Sequence, residues 1–236
     1  MKPLPILAKT SHEMKNSLTL LQATIAHIQA QLANEAQPLL VKEMTAMYQH
    51  TQRLIDLLTG LVTDVSLEHE DFAVVALNQL VQETLSEYQV VFPRVLFDFT
   101  PLTTELLVWG GGESLQVMLR NIIDNALQYG QKHDTSPLVM VQLSSTAKYQ
   151  VIEIIDNGPG IPSQDLSKVC IPYYRGHNAL ALPGSGLGLA IVAEIVRKHH
   201  GKLQVTNKVP GPGVRIRISL PQLRENNTSH RNMDRV

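Results

Sequence analysis

From Leu4 to Leu32 the apolar residues fall in alternating steps of three and four, through Leu7, Ser11, Met14, Leu18, Leu21, Ile25 and Ile28. After a polar break from Ala33 to Pro38, the stepping resumes over Leu40, Met44, Met47, Thr51, Leu54, Leu58 and Leu61. Such spacing puts one apolar seam on each of two helices. Joined by a short turn, they form an antiparallel hairpin with little of its own to bury that seam. A second copy would bury it, so the pattern predicts a homodimer built on a four-helix bundle. The stepping stops at the charged stretch Glu68 to Asp71. Residues 1–70 are therefore expected to be a helical hairpin, and residues 71–223 a second domain.

In the second domain, helical and strand patterns interleave. Asn78 to Gln89 and Ser114 to Tyr129 read as helices, as does Gly186 to His199. Val95 to Phe99, Leu106 to Trp109, Val139 to Leu143 and Gln150 to Asp156 read as strands, with Leu203 to Thr206 and Val214 to Leu220 as a closing hairpin. That order predicts an α+β layer with mostly antiparallel strands. Residues 224–236 are polar and read as a tail without fixed structure.

Composition narrows the function classes. The 236 residues carry 20 Lys+Arg against 21 Asp+Glu, a net charge of -1, which argues against a chain that wraps nucleic acid or coats an anionic membrane. Hydrophobic residues at 44% suffice for a core. The single cysteine, Cys170, excludes an internal disulfide and fits a reducing compartment. No apolar run approaches the ~18 residues of a membrane-spanning helix. Polar residues from Lys9 to Ser17 stand where a signal peptide would be hydrophobic. The chain is expected to be cytoplasmic.

The chemistry concentrates in two glycine clusters. The run Ile154-Ile155-Asp156-Asn157-Gly158-Pro159-Gly160-Ile161-Pro162 is an apolar strand that delivers a carboxylate and then breaks into glycines, a form that can grip a base edge. Gly184-Ser185-Gly186-Leu187-Gly188-Leu189 opens a helix, where backbone N–H groups and the helix dipole favour phosphate. Either alone would pass for a tight turn. Upstream, Asn121 and Asn125 stack on one helix face with Tyr129 one turn on, beside an apolar stripe of Leu115, Leu119, Ile122 and Ala126. Side-chain amides can ligate Mg²⁺ alongside phosphates, and Tyr129 can pack on a nucleobase. Between the glycine clusters, Pro172-Tyr173-Tyr174-Arg175-Gly176 gives an aromatic and basic knot suited to a lid over a nucleotide.

Taken in order, these motifs resemble the sensor histidine kinases of two-component signalling. Leu119 to Tyr129 resembles that family's asparagine box, Asp156 to Gly160 its first glycine box, Val169 to Arg175 its aromatic box, and Gly184 to Leu189 its second glycine box. Ser11-His12-Glu13-Met14-Lys15-Asn16-Ser17-Leu18 resembles its phosphoacceptor box. The resemblance spans roughly Leu4 to Leu220. It implies a gyrase-like α/β sandwich that binds ATP and Mg²⁺, with the hairpin as dimerisation domain. It further implies Asp156 on the adenine amino group and Asn121 and Asn125 on metal and phosphates. Gly158, Gly160, Tyr174, Arg175, Gly184, Gly186, Leu187 and Gly188 would line the nucleotide. His12 would take the γ-phosphoryl group and pass it to the receiver domain of a response regulator.

The heptad register supports His12 independently. With Leu18 and Ile25 at a and Met14 and Leu21 at d, His12 falls at b and Asn16 at f, both off the seam. Glu13 can fix the imidazole tautomer through the second ring nitrogen, and Asn16, a small polar residue four after the histidine, resembles the group associated with phosphatase activity. Three features depart from the family pattern. Ser17 stands for a frequent proline, and Gln128 for a basic residue. Gly110-Gly111-Gly112 replaces a stretch where an aspartate is common, so the helix after it is expected to lose its cap. Two other readings remain open at this stage: an ATPase or protein kinase of the same superfamily, and a dimeric scaffold with a degenerate pocket. With Met1 eleven residues before His12, the chain reads as the catalytic part of a longer, membrane-bound sensor.

Overall fold

The computed structural model describes residues 70–130, 137–179 and 184–223, together with Leu18, Leu21, Ile25, Met47 and Thr51. Those five are helical; Ile25 and Thr51 are buried, while Leu21 and Met47 are exposed. The Thr51 hydroxyl donates to the Met47 carbonyl one turn back, at 2.8 Å. The remainder of the expected hairpin, its bundle and the tail at 224–236 lie outside the described residues.

The chain divides into two compact units, Glu70–Leu166 with Val192–Val236, and Met1–His69 with Ser167–Ile191. In the first, β1 (Ala73–Ala76) leads into helix α1 (Leu77–Val91), followed by β2 (Leu96–Phe99), β3 (Leu107–Gly110) and helix α2 (Gly112–Gly130). Strands β4 (Leu138–Ser145) and β5 (Tyr149–Asp156) follow. Helix α3 (Gly188–Lys198) crosses the division, and β6 (Lys202–Asn207) and β7 (Val214–Pro221) close the chain. Five strands form one sheet in the order β2-β4-β5-β7-β6, parallel between β2 and β4 and antiparallel elsewhere. The expected interleaving of helices and mostly antiparallel strands is therefore present. The short β1 was not legible beforehand, because Ala73-Val74-Val75-Ala76 shows no alternation; it pairs antiparallel with β3 as a separate ribbon.

The strand period of two explains the core. Val141 sits opposite Ile154, which sits opposite Ile216; Leu143, Ile152 and Ile218 form the next row, and all six are buried. The alternate row, Gln142, Glu153 and Arg217, faces away and carries an Arg217–Glu153 ion pair at 2.8 Å. Helix α2 packs on β4 and β5 through Leu115, Met118, Leu119, Ile122, Ile123, Ala126 and Leu127, all buried. At about 1.5–3 kcal/mol per large side chain taken out of water, this stripe fixes which way the helix faces. Asn121 and Asn125 are thereby set on its half-buried flank. Between them Asp124 turns the other way and accepts a 2.6 Å bond from the Tyr88 hydroxyl of α1.

Candidate nucleotide-binding site

Strand β5 ends at Asp156, and the chain around it is arranged to hold one carboxylate oxygen and leave the other. Oδ1 accepts N–H groups from Gly158 at 2.8 Å and Val214 at 3.0 Å. Among the described residues Oδ2 has no hydrogen-bond partner. Burial pushes the Asp156 carboxyl above its ordinary value, opposed by the Val214 and Gly158 N–H groups and by nearby Lys208. Two glycines are required here. Gly213 has φ +125°, and a Cβ there would run into the Asp156 carbonyl. Gly160 has φ +80°, and its Cβ would lie 3.1 Å from Asn207 Oδ1. Asn207 grips the same turn twice: Ile161 N–H donates to its Oδ1, and its Nδ2 donates to the Ile161 carbonyl, both at 2.8 Å.

Helix α2 meets this corner at its C-terminal end, where Gly158 lies close enough that a Cβ would be 3.5 Å from the Tyr129 carbonyl. Asn121 donates Nδ2 to the Val117 carbonyl at 2.8 Å, which leaves its Oδ1 unused by that bond. Asn125, half-buried, has no hydrogen-bond partner among the described residues. Two hard amide oxygens one turn apart suit a hydrated Mg²⁺.

The other end of α2 corrects one expectation. Gly111 carries no side chain, yet the first turn is capped: Ser114 N–H donates to Glu70 Oε1 at 3.1 Å, and Gly111 N–H to His199 Nε2 at 3.0 Å. The carboxylate of Glu70 lies where a Cβ on Gly111 would be. His199 is buried, bonded through Nδ1 to the Ile195 carbonyl at 2.8 Å and stacked on Phe72 at 4.7 Å. Its Nε2 accepts the Gly111 N–H, as an unprotonated ring nitrogen does, and burial pushes the imidazole below its ordinary value.

The segment Ser167–Ile191 holds the rest of the expected site residues. Tyr173 N–H donates to the Gly186 carbonyl at 3.0 Å, and Tyr173 has φ 65°. Gly186, at φ +76°, passes so near the chain that a Cβ would stand 2.6 Å from the Tyr174 carbonyl. Leu187 N–H donates to Ser185 Oγ at 3.2 Å, and Gly188 starts α3. Lys168 lies over the Tyr174 ring at 5.7 Å, and Arg175 donates to the Ala179 carbonyl. Gly184, at φ +136°, completes the turn. Tyr174, Arg175, Gly184, Gly186, Leu187 and Gly188 are thus one folded segment, while Gly158 and Gly160 shape the Asp156 corner, Tyr129 lies against Gly158, and Asn121 and Asn125 stand earlier on the same helix. His12, Glu13 and Asn16 lie outside the described residues.

A family model described as "Histidine kinase-, DNA gyrase B-, and HSP90-like ATPase" matches residues 110–224. The signal transduction histidine-protein kinase/phosphatase MprB of Mycobacterium tuberculosis is 31% identical over 225 residues, covering 92% of this chain and 44% of that protein. The adaptive-response sensory kinase SasA of Thermosynechococcus vestitus is 30% identical over 232 residues, covering 92% and 59%. A solved mycobacterial sensor histidine kinase MprB has 32% identity and a TM-score of 0.58, over 64% of this chain and 98% of its own. The chain belongs to the sensor histidine kinases. It spans about half the length of the curated relatives it matches. Seen as a histidine kinase, its mixed sheet and helices are the ATP-binding α/β domain of that family. Sequence reasoning missed four residues that shape this kinase's site, namely Glu70, His199, Asn207 and Gly213. Only Gly213 left a signal, in the Pro-Gly-Pro-Gly turn.

Proposed function

We propose that this chain is the catalytic core of a sensor histidine kinase, which binds ATP in the α/β domain and phosphorylates its own His12. The observation that carries the reading is the Asp156 carboxylate: one oxygen is fixed by two N–H groups, and the other has no hydrogen-bond partner among the described residues. A fixed acceptor of that kind selects an amino-bearing base edge, as adenine has and guanine lacks at the same position.

Asn121 and Asn125 would hold phosphate oxygens and Mg²⁺, and bound Mg²⁺ would neutralise charge on the transferring group. Gly184, Gly186 and Gly188 would present backbone N–H groups to the phosphates at the start of α3. Tyr129 would pack against the base, and Tyr174 and Arg175 would belong to the covering segment. In the transfer, a neutral imidazole nitrogen of His12 donates its lone pair to the γ-phosphorus, the bond to the β–γ bridging oxygen breaks, and ADP leaves with that electron pair. Glu13 accepts a hydrogen bond from the N–H of the other ring nitrogen and stabilises the positive charge that develops on the ring. The protein's contribution is mostly placement and charge, as is usual for phosphoryl transfer.

The phosphoryl group then passes to an aspartate on the receiver domain of a response regulator. Asn16 would orient a water that hydrolyses the regulator's phosphoaspartate and releases inorganic phosphate, the opposing phosphatase activity. The exposed seam residues Leu21 and Met47 support the homodimer. Incubation with γ-labelled ATP tests the proposal: the account expects an acid-labile, base-stable adduct that His12→Gln abolishes, and labelling that survives the substitution would overturn it.

A further inference from the structure

We infer that Glu70 is a positioning residue for the nucleotide site, acting through the first turn of α2. Helix α2 begins at Gly112 after two further glycines, the residue type with the largest backbone entropy to lose, and residue 111 offers no side chain to catch the free N–H groups. The missing group comes from 41 positions upstream of Gly111: Glu70 Oε1 accepts the Ser114 N–H at 3.1 Å, and its carboxylate fills the space where a side chain on Gly111 would begin. Its charge also lies at the positive end of the helix dipole.

A second observation shows that the arrangement is built in. Among the described residues Glu70 Oε2 is buried without a hydrogen-bond partner, a costly state for a carboxylate oxygen that solvent would otherwise satisfy. It is retained while Gly111 N–H goes to His199, so carboxylate and imidazole each take one buried N–H at the same helix start. Ser114, Asn121 and Asn125 are spaced seven and eleven residues apart along the helix, so the capped turn and both amides share one face. Fraying of the first turn would loosen the rod on which both amides are mounted.

The chemical consequence is a dependence on chain path. An ordinary cap is carried by the helix it caps, whereas Glu70 stands where the chain passes out of residues 1–69 into this unit. A change in backbone course at residue 70 withdraws the carboxylate from Ser114. Nucleotide affinity and the position of that segment are therefore coupled, and by linkage a bound nucleotide favours the docked carboxylate.

A four-variant cycle on the full chain tests this: wild type, Glu70→Ala, Gly111→Asp and the double variant. Gly111 is not left-handed, and the nearest atoms a Cβ there would meet belong to the Glu70 carboxylate. Dissociation constants for a non-hydrolysable ATP analogue and amide hydrogen exchange of residues 112–116 without nucleotide are measured for each. Each single change is expected to weaken the analogue about tenfold and speed exchange in that turn, in line with the loss of one cap. The double variant is expected to return to within about threefold of wild type, because the new aspartate takes the vacated place. Glu70→Gln, which keeps the acceptor, should raise the KM for ATP only slightly, whereas Glu70→Ala raises KM with kcat at saturating ATP unchanged. Unchanged affinity and exchange in Glu70→Ala, or a double variant no better than the single one, would overturn the inference. The inference rests on the nucleotide reading, but the exchange data separate the two. A wild type that binds no analogue overturns that reading and the positioning role together, while the exchange cycle still decides whether Glu70 caps the helix.

Discussion

The Asp156 corner and the Gly184–Gly188 turn are both glycine-built, yet they are restrained in opposite ways. At the corner the restraints come from distant strands: Val214 of β7 donates to Asp156, Gly213 touches the Asp156 carbonyl, and Asn207 of β6 clamps Ile161. In the turn they come from near neighbours: Gly186 against Tyr173 and Tyr174, and Leu187 against Ser185. A corner held by the sheet opens only when the sheet does, while a turn held by its own segment can open alone. The Asp156 corner is thus preformed, and the Gly184–Gly188 turn is the one suited to rearrange.

The sharpest way to break this contrast is to put the same methyl into both. Gly213→Ala forces a left-handed backbone and a collision with the Asp156 carbonyl, so it should lower global stability by about 3 kcal/mol or more, seen as a fall in the urea midpoint. Gly186→Ala also meets a positive φ and a carbonyl, but it should cost the global midpoint less than about 1 kcal/mol while speeding amide exchange in residues 171–176. Equal losses of global stability would erase the distinction between the two regions.

A smaller effect probes the neutral histidine behind α2. The His199 imidazole lies below its ordinary value in the fold, so between that value and about 6.5 the unfolded chain holds more protons than the folded one. Stability should therefore fall as pH drops below about 6.5, by at most about 1.4 kcal/mol per pH unit, and His199→Gln should flatten that slope. Chemical denaturation at pH 7.5, 6.5 and 5.5 reads it directly; identical slopes in the two proteins would contradict a buried neutral imidazole.

Much of the corner was legible because its chemistry and its fold share one stretch of sequence. Ile154-Ile155-Asp156 announces a buried strand, and Gly158 and Gly160 announce the turn after it. The Asn121 and Asn125 flank followed from helical period, since the stripe of Leu115, Leu119, Ile122 and Ala126 is buried as the spacing requires. What stayed hidden comes from contacts between distant residues. Glu70 and His199 serve Gly111 across 41 and 88 positions, and no local pattern ties a linker glutamate to a glycine triplet. The strand β1 was hidden for a different reason, being too short to show a period.

The account stands or falls on Asp156. Asp156→Asn keeps an Oδ1 to accept from Gly158 and Val214, removes a charge that burial disfavours, and presents an amide N–H₂ where the free Oδ2 was. Titration with ATP, paired with the melting temperature of the nucleotide-free protein at pH 7, tests all three consequences at once. The account predicts at least about a tenfold loss of ATP affinity, the worth of one charge-assisted hydrogen bond, with a melting temperature no lower than that of wild type. Undiminished ATP affinity in Asp156→Asn would contradict it.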